Sequence, residues 1–360
     1  MNSKALLRRL EKAAKCRVAA PLEMRVNQWR NRHFIPADRA PFCIETSSAC
    51  NLNCCFCAYG KKATPRVSMP DALFQDCVGQ VLGMGFREFQ LTPTTGDVFM
   101  DRTVFSKFRF LDDHPEVQGY HFFTNFTVPT PKKIEELVTL RKLRTMVISI
   151  YGHDEASFVT IARSSPRIFR RLLANLRTLR DLRSSWPFDL SVGWRSTFDV
   201  PEKAPDELMV LIDELRALGV RVHPSHGLYN NWGGRITQAD VAGLAMTVWG
   251  TDTVPKRGPC VKLFDGFQVM ATGVVNGCSC RDVDATLRIG NVKEMPLKDI
   301  LSRNNAAYRQ LIEEQERGDF RPVCRSCDLY RSIYHQPAVY RKNQIRSQSV
   351  TEFFERLESC

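Results

Sequence analysis

Phe42-Cys-Ile-Glu-Thr-Ser-Ser-Ala-Cys-Asn-Leu-Asn-Cys-Cys-Phe-Cys-Ala-Tyr-Gly60 is the stretch on which the reading of this chain turns. Cys50, Cys54 and Cys57 stand in it as Cys-x3-Cys-x2-Cys, and with Cys55 they make four cysteines in eight residues. Thiolates this close together can face one point, as iron–sulfur and zinc ligation both require. Zinc wants a fourth ligand nearby, and Cys55, sequential to Cys54, is an awkward chelate partner. A four-iron cluster held by three protein ligands keeps one iron open for a substrate or cofactor. Phe42, Ile44 and Thr46 alternate with the residues between them, which predicts a strand running into the cysteine loop. An aromatic residue, Phe56, directly precedes the last cysteine.

Downstream, short apolar runs alternate with helical patterns. The runs are 42–48, 88–93, 119–125, 145–152, 189–197 and 220–226, and the helical segments lie near 70–84, 101–113, 131–142, 165–182 and 203–218. The clearest helix is 165–182. Ser165 can cap it, Pro166 suits its first turn, and Ile168, Leu172, Leu176 and Leu179 form one stripe. Repeated βα units predict an α/β fold with a parallel sheet and right-handed crossovers. In barrels of this kind, sites gather at the C-terminal ends of the strands, where the cysteine loop also falls. Residues 1–41 read as a helical lead-in, with Leu6, Leu7 and Leu10 on one side of a short amphipathic helix.

A second cysteine set occupies the C-terminal part. Cys260 is followed by twelve residues, Gly273, four residues and Cys278, and Cys324 and Cys327 come later as Cys-x2-Cys. Phe267, Val269 and Ala271 alternate before a Gly-containing turn, and Val274 and Val275 follow it. This predicts a hairpin that brings Cys260 near Cys278. Residues 289–292 and a helical pattern near 297–315 read as a spacer before Cys-x2-Cys. A four-thiolate site is the expectation, an iron–sulfur cluster or a zinc ribbon. Cys280 lies close enough to Cys278 to exchange roles with it. Cys16, Cys43, Cys55, Cys77 and Cys360 read as buried or idle thiols.

A length of 360 residues allows two domains, or one barrel with an appendage. No run of 18 apolar residues predicts a membrane span. Thirteen cysteines behind an N-terminus without an apolar signal core predict a reducing, cytoplasmic setting, with metal ligation rather than disulfides. The net charge of +12 comes largely from helical arginines such as Arg163, Arg167, Arg170, Arg171, Arg177 and Arg180. It reads as a solvated basic face, or as attraction to an anionic substrate or an acidic flavodoxin- or ferredoxin-type reductant. No zinc finger or aromatic-interleaved basic segment points to nucleic acid.

The cysteine loop placed after a strand resembles the signature of the radical S-adenosylmethionine (SAM) superfamily. The resemblance implies a partial (βα)6 TIM-like barrel over residues 42–235. It implies that Cys50, Cys54 and Cys57 hold a [4Fe–4S] cluster whose open iron binds SAM. Cleavage of SAM would yield a 5′-deoxyadenosyl radical that takes a hydrogen atom from substrate. Thr94-Thr95-Gly96-Asp97 stands where relatives carry Gly-Gly-Glu-Pro, with Asp97 for the glutamate and no proline after it. Thr124-Asn125 ends the third strand. Ser149 and Tyr151 lie in a segment similar to the Ser-x-Asp-Gly of relatives, and Arg163 follows where relatives place an arginine near the SAM carboxylate. Phe56, Thr95, Gly96, Asp97, Thr124, Asn125, Ser149, Tyr151 and Arg163 are therefore the implied SAM contacts.

Tyr229-Asn230-Asn231-Trp232-Gly233-Gly234 resembles turns in members with extra clusters, and reads equally as a linker with a buried tryptophan. Residues 236–258 read as a connector. Residues 259–335 resemble the twitch domain, the shortened SPASM form. The resemblance implies that Cys260, Cys278, Cys324 and Cys327 hold one auxiliary [4Fe–4S] cluster. A helical tail, 336–360, would follow.

On this reading the chain oxidises or epimerises a sugar- or aminocyclitol-type small molecule, with Cys280 as a candidate hydrogen donor. The alternative is thioether formation or epimerisation in a ribosomally made peptide. The lead-in of about 40 residues is short for the peptide-recognition domain, about 80 residues long, that such relatives often carry. A non-catalytic iron–sulfur scaffold would not need the polar motifs at four strand ends.

Overall fold

The computed structural model describes residues 19–38, 40–92, 94–201, 206–251 and 254–359. The amphipathic helix expected at the N-terminus, with Cys16, and Cys360 lie outside the described residues. Six parallel strands follow one another in chain order: β1 (Phe42–Ile44), β2 (Glu88–Gln90), β3 (Gly119–Thr124), β4 (Leu143–Tyr151), β5 (Asp189–Ser196) and β6 (Arg221–His226). The helices are α1 (Ala20–Trp29), then α2 (Asp71–Gly83), α3 (Val104–Asp113), α4 (Pro131–Leu137), α5 (Glu155–Ala162), α6 (Pro166–Asp181) and α7 (Glu207–Ala217). Each apolar run of the sequence becomes a strand, and the first five strands stop one to four residues before their runs do, because there the chain turns outward to build loops.

Leu172, Leu176 and Leu179 of α6 are fully buried, while Ile168 at its first turn is only partly so. Each such leucine contributes about 1.5–3 kcal/mol by leaving water. Helix α5 was missed in the sequence, being only eight residues long. A reciprocal cap starts it: Asp154 Oδ1 accepts from the Ser157 N–H at 2.7 Å, and Ser157 Oγ accepts from the Asp154 N–H at 3.1 Å.

The C-terminal part does not form a separate sheet. β7 (Gln268–Val269) pairs in parallel with β1, Gln268 opposite Cys43 and Val269 opposite Ile44. β8 (Val274–Asn276) returns antiparallel to β7, as the hairpin pattern predicts, and β9 (Arg288–Asn291) adds antiparallel to β8. The sheet therefore has nine strands in the order β9-β8-β7-β1-β2-β3-β4-β5-β6. Residues read as a spacer in the sequence become β9, because Ile289 is buried under the short helix Leu297–Ile300. Gly290 permits that packing: a Cβ there would come within 2.7 Å of the Ile300 side chain. The tail closes the opposite end of the barrel, with Phe353 of helix Val350–Glu358 against Phe264 at 5.2 Å and Phe267 at 6.2 Å between ring centroids.

The arginines of α6 are largely engaged. Arg180 pairs with Glu214 at 2.6 Å and Arg177 pairs with Glu207, tying α6 to α7. Pairs this exposed are worth little stability, and they support the solvated-face reading of the basic excess. Among the described residues no helix is long and apolar enough to cross a membrane.

Lys107 on α3 is a different case. Its ammonium is 1% exposed and meets Asp101, 2% exposed, at 2.5 Å and Asp71 at 2.8 Å. Removing the cation leaves Asp101 buried and uncompensated. Lys107→Met is expected to cost about 3–5 kcal/mol, measured as a lower denaturant midpoint at unchanged slope.

Candidate active site

The loop leaving β1 crosses the C-terminal ends of the strands, and α5 holds it there. The N–H groups of Asn53 and Cys55 donate to the last carbonyls of α5, Ala162 at 3.1 Å and Ile161 at 2.9 Å. Cys50, Cys54 and Cys57 then line an open cleft of about 1140 Å³. Cys55 turns the other way, its thiol 4.0 Å from the Met246 sulfur. This accords with the chelate argument that set Cys55 aside.

Most of the residues singled out in the sequence line the same cleft: Phe56, Thr95, Gly96, Asp97, Thr124, Asn125, Ser149, Tyr151 and Cys280. Their roles within it differ. The Asp97 carboxylate is committed to the protein. It accepts from the Asn125 N–H at 2.7 Å, the Thr124 hydroxyl at 2.9 Å and the Phe99 N–H at 3.0 Å, and its own N–H donates to Ala49. Burial pushes this carboxyl above its ordinary range, and the three donors oppose the shift. Asp97 thus ties the end of β3 to the cysteine loop. Neighbouring Thr95 is 3% exposed, and its hydroxyl has no hydrogen-bond partner among the described residues. A buried hydroxyl left unpaired in a cleft wall is a place for a polar ligand atom.

Arg163 does not line the cleft. It takes a left-handed conformation (φ 47°) at the C-terminal end of α5, and its guanidinium donates outward to the Asp240 carbonyl at 3.1 Å. The end of α5 carries it to the surface. Two other arginines line the cleft, Arg281 from the C-terminal part and Arg195 on β5, which donates to Ser149 Oγ at 3.2 Å. Sequence reading missed Arg195. The available signal was its inward register: it pairs directly with the cleft residue Tyr151 of β4.

The second cysteine set also converges. Cys260, Cys278, Cys324 and Cys327 line one cavity of about 430 Å³, together with Cys280, Arg281 and Gln315. Among the described residues no three His, Cys, Asp or Glu side chains are gathered tightly enough for a single metal ion. The sulfurs stand round a space instead, and N–H groups point at them. Gln315 Nε2 donates to Cys324 at 3.3 Å, the Leu329 N–H to Cys327 at 3.3 Å and the Cys280 N–H to Cys278 at 3.4 Å. In the first set, the Leu52 N–H donates to Cys50 at 3.4 Å. Such donors stabilise sulfur carrying negative charge, as in cluster ligation. Burial by itself opposes that charge: it pushes Cys50 up to about 12, and Cys57 and Cys260 up to about 11. Both donor sets therefore fit a group that brings its own positive charge to the sulfurs.

The turn 231–234 joins the two cysteine sets. Trp232 Nε1 donates to the Phe56 carbonyl in the first loop at 2.9 Å. Asn231 Nδ2 donates to the Ser326 carbonyl, between Cys324 and Cys327, at 2.9 Å. The Asn231 N–H donates to Asp328 at 3.1 Å, and Asp328 pairs with Arg281 at 3.0 Å. Gly233 and Gly234 have positive φ, and a Cβ on either would strike Val323 or Ser326. Only glycine fits a left-handed turn pressed this closely against the Cys-x2-Cys segment.

Residues 260–328 match the SPASM family, an iron–sulfur cluster-binding domain. The fold is similar to that of BtrN in complex with AdoMet and 2-DOIA, at 16% identity over 81% of this chain and 94% of that one, with a TM-score of 0.50. It is similar to Streptococcus suis SuiB bound to the precursor peptide SuiA, at 12% identity over 85% and 74%, with a TM-score of 0.55. SuiB bound to S-adenosylmethionine gives 13% identity over 76% and 67%, with a TM-score of 0.52. No curated protein matches the chain in sequence. The chain thus has the fold of these structures, with a three-cysteine loop over a parallel half-barrel and an iron–sulfur cluster-binding SPASM domain over residues 260–328.

Proposed function

We propose that this chain removes a hydrogen atom from a carbinol carbon of a compact, polyhydroxylated small molecule of sugar or aminocyclitol type, oxidising or inverting that centre. The observation that carries the reading is the position of Cys280, which lines both the cleft and the second cysteine cavity. Cys50, Cys54 and Cys57 would hold the open cluster, and Cys260, Cys278, Cys324 and Cys327 the second. When bound, the open cluster and SAM supply the radical that takes the substrate hydrogen, and the second cluster supplies an acceptor for one electron.

The protein's own groups do the rest. Thr95 offers its unpaired hydroxyl to a polar atom of SAM, and Arg195, oriented by Ser149, takes the SAM carboxylate as a charge-assisted pair. Asp97 positions Thr124 and Asn125 without touching the ligand. Lys262 and Arg281 bring positive charge to Cys280. As a thiolate it can take the hydroxyl proton in an oxidation; in an inversion its protonated form would give the S–H hydrogen atom to the opposite face, and the thiyl radical left behind would be restored by one electron from the proposed reductant and one proton.

The cleft is lined by both the cysteine loop and Cys280, and SAM with one small partner would sit in it. BtrN, of similar fold, is in complex with AdoMet and 2-DOIA together. The second reading is a peptide substrate, as SuiB with its precursor peptide illustrates. An acidic flavodoxin- or ferredoxin-type protein is the proposed reductant, matched to the net charge of +12.

Anaerobically reconstituted protein is expected to hold about eight irons, four per cluster, and to cleave SAM to 5′-deoxyadenosine on reduction. Cys54→Ala should abolish cleavage, and full cleavage by that variant would refute the assignment. Changing all three loop cysteines to alanine should leave about half the iron, whereas zinc in its place would identify a ribbon instead. Thr95→Val removes an unsatisfied hydroxyl at constant shape. It should leave thermal stability equal or higher while weakening SAM binding about tenfold by equilibrium dialysis. For Cys280, turnover of a sugar and aminocyclitol panel in D₂O separates the two outcomes. Inversion places solvent deuterium on the inverted carbon and is lost in Cys280→Ala. Oxidation gives a carbonyl product with no deuterium there.

A further inference from the structure

A third cavity, of about 720 Å³, lies where the exit of β1, the segment 62–65 after the cysteine loop, and the β7–β8 turn meet. It shares no lining residue with the cleft of the first site. Two of its walls carry buried ionisable groups of opposite kind, Glu45 and Lys62.

Glu45 is 1% exposed. Its Oε2 accepts from the Ala271 N–H at 3.0 Å, and its Oε1 has no hydrogen-bond partner among the described residues; burial pushes this carboxyl above its ordinary range, with Lys62 and the Ala271 and Thr94 N–H groups opposing the shift. Lys62 is 7% exposed and is felt electrostatically by Glu45, yet the two form no direct ion pair among the described residues. The other two charged groups of the cavity are already engaged. Asp284 Oδ1 accepts from the N–H groups of Ala63 at 2.8 Å and Thr64 at 3.1 Å, while its Oδ2 pairs with Arg235. Arg288 pairs with Glu294 at 3.0 Å.

Burying a carboxylate and an ammonium costs several kcal/mol each, and only close pairing offsets it. Here the pair faces one space and stops short of contact. The arrangement is relieved by a bridging molecule that carries the complementary charges in the reverse order. Pro65, Met270 and Val274 offer that molecule an apolar wall beside the two charges.

We infer that this cavity is a binding site for a free α-amino acid with an apolar side chain, its ammonium on Glu45 Oε1 and its carboxylate on Lys62. The inference does not depend on the radical reading, since neither Glu45 nor Lys62 lines the cleft. A ligand here would touch β1, the segment that follows Cys57, and the turn of the C-terminal meander together.

The test is calorimetric titration of the reconstituted holoenzyme, with SAM at saturation so that the cleft is filled. L-Leucine is the probe. Leucinamide, which lacks the carboxylate, and 4-methylpentanoate, which lacks the amine, are its controls. L-Leucine should bind saturably, and each control should bind about tenfold more weakly or not at all, the loss expected when a buried charge is left unpaired. Glu45→Gln and Lys62→Met should each weaken L-leucine by about the same factor while SAM cleavage persists. The three-ligand comparison on the unaltered protein stands even if a variant misfolds. The inference is overturned by absence of binding up to about 10 mM. It is also overturned by leucinamide or 4-methylpentanoate binding as tightly as L-leucine, or by binding that survives both substitutions. Failure here with intact SAM cleavage leaves the proposed radical function standing.

Discussion

The indole N–H of Trp232 on the Phe56 carbonyl, with Asn231 on the Ser326 carbonyl, is the contact on which the rest of the site depends. These two bonds reach in opposite directions from one turn. One holds the loop of Cys50, Cys54 and Cys57, the other the segment of Cys324 and Cys327. Trp232, Gly233 and Gly234 all have positive φ, so the turn is compact enough to fit between the two segments. A non-glycine residue in that region costs about 1–3 kcal/mol and persists only where its surroundings over-determine it. Here the surroundings are two cysteine sets that need a fixed separation. The Arg281 guanidinium lies 5.6 Å from the Trp232 ring and pairs with Asp328, which closes the contact into a ring of interactions.

A second constraint acts from below. β7 pairs with β1 itself, so the strand that launches the first cysteine loop also aligns the C-terminal meander. Gln268, fully buried on β7, accepts from the Thr94 hydroxyl. Thr94 precedes Thr95 and Gly96 in the cleft wall. Parallel pairing between segments this far apart in the chain carries a large loop-closure cost, and the buried aromatic contacts of Phe267 with Phe42 and Phe353 help to offset it. The barrel and the C-terminal part are in this sense one sheet with two cysteine sites on it.

The legible parts of the sequence were those with a period or a spacing. Six apolar runs became β1 to β6, and the stripe Leu172, Leu176, Leu179 became the buried face of α6. The hairpin from Phe267 to Val275 and the gathering of Cys260, Cys278, Cys324 and Cys327 followed from local turn chemistry and cysteine spacing. What escaped was set by tertiary context. Arg163 sits in the chain order that suggested a cleft role, but the end of α5 carries it outward, and Arg195 is turned inward by the register of β5 on β4. Asp97 was placed in the right wall, yet its carboxylate is spent on Asn125, Thr124 and Phe99, which no motif could reveal. β9 had no alternation long enough to stand out, and the β7–β1 pairing has no local signature at all.

The wall between the two cysteine cavities sets what can pass between them. Cys280 and Arg281 line both, two and three residues after Cys278, so the partition is a single turn of chain. That turn leaves a thiol and a guanidinium facing the cleft as well as the cavity of the second cysteine set. In a low-dielectric setting each charge on that turn is felt on both sides. Arg281 is fixed by Asp328, and Lys262 lies near enough to Cys280 to help lower its proton affinity. Two cations beside one partition favour negative charge on its sulfurs, whether that charge belongs to a thiolate or to a ligated group. The same turn that closes the second cavity therefore sets the electrostatics of the cleft floor, and a change at Arg281 is felt at both sites at once.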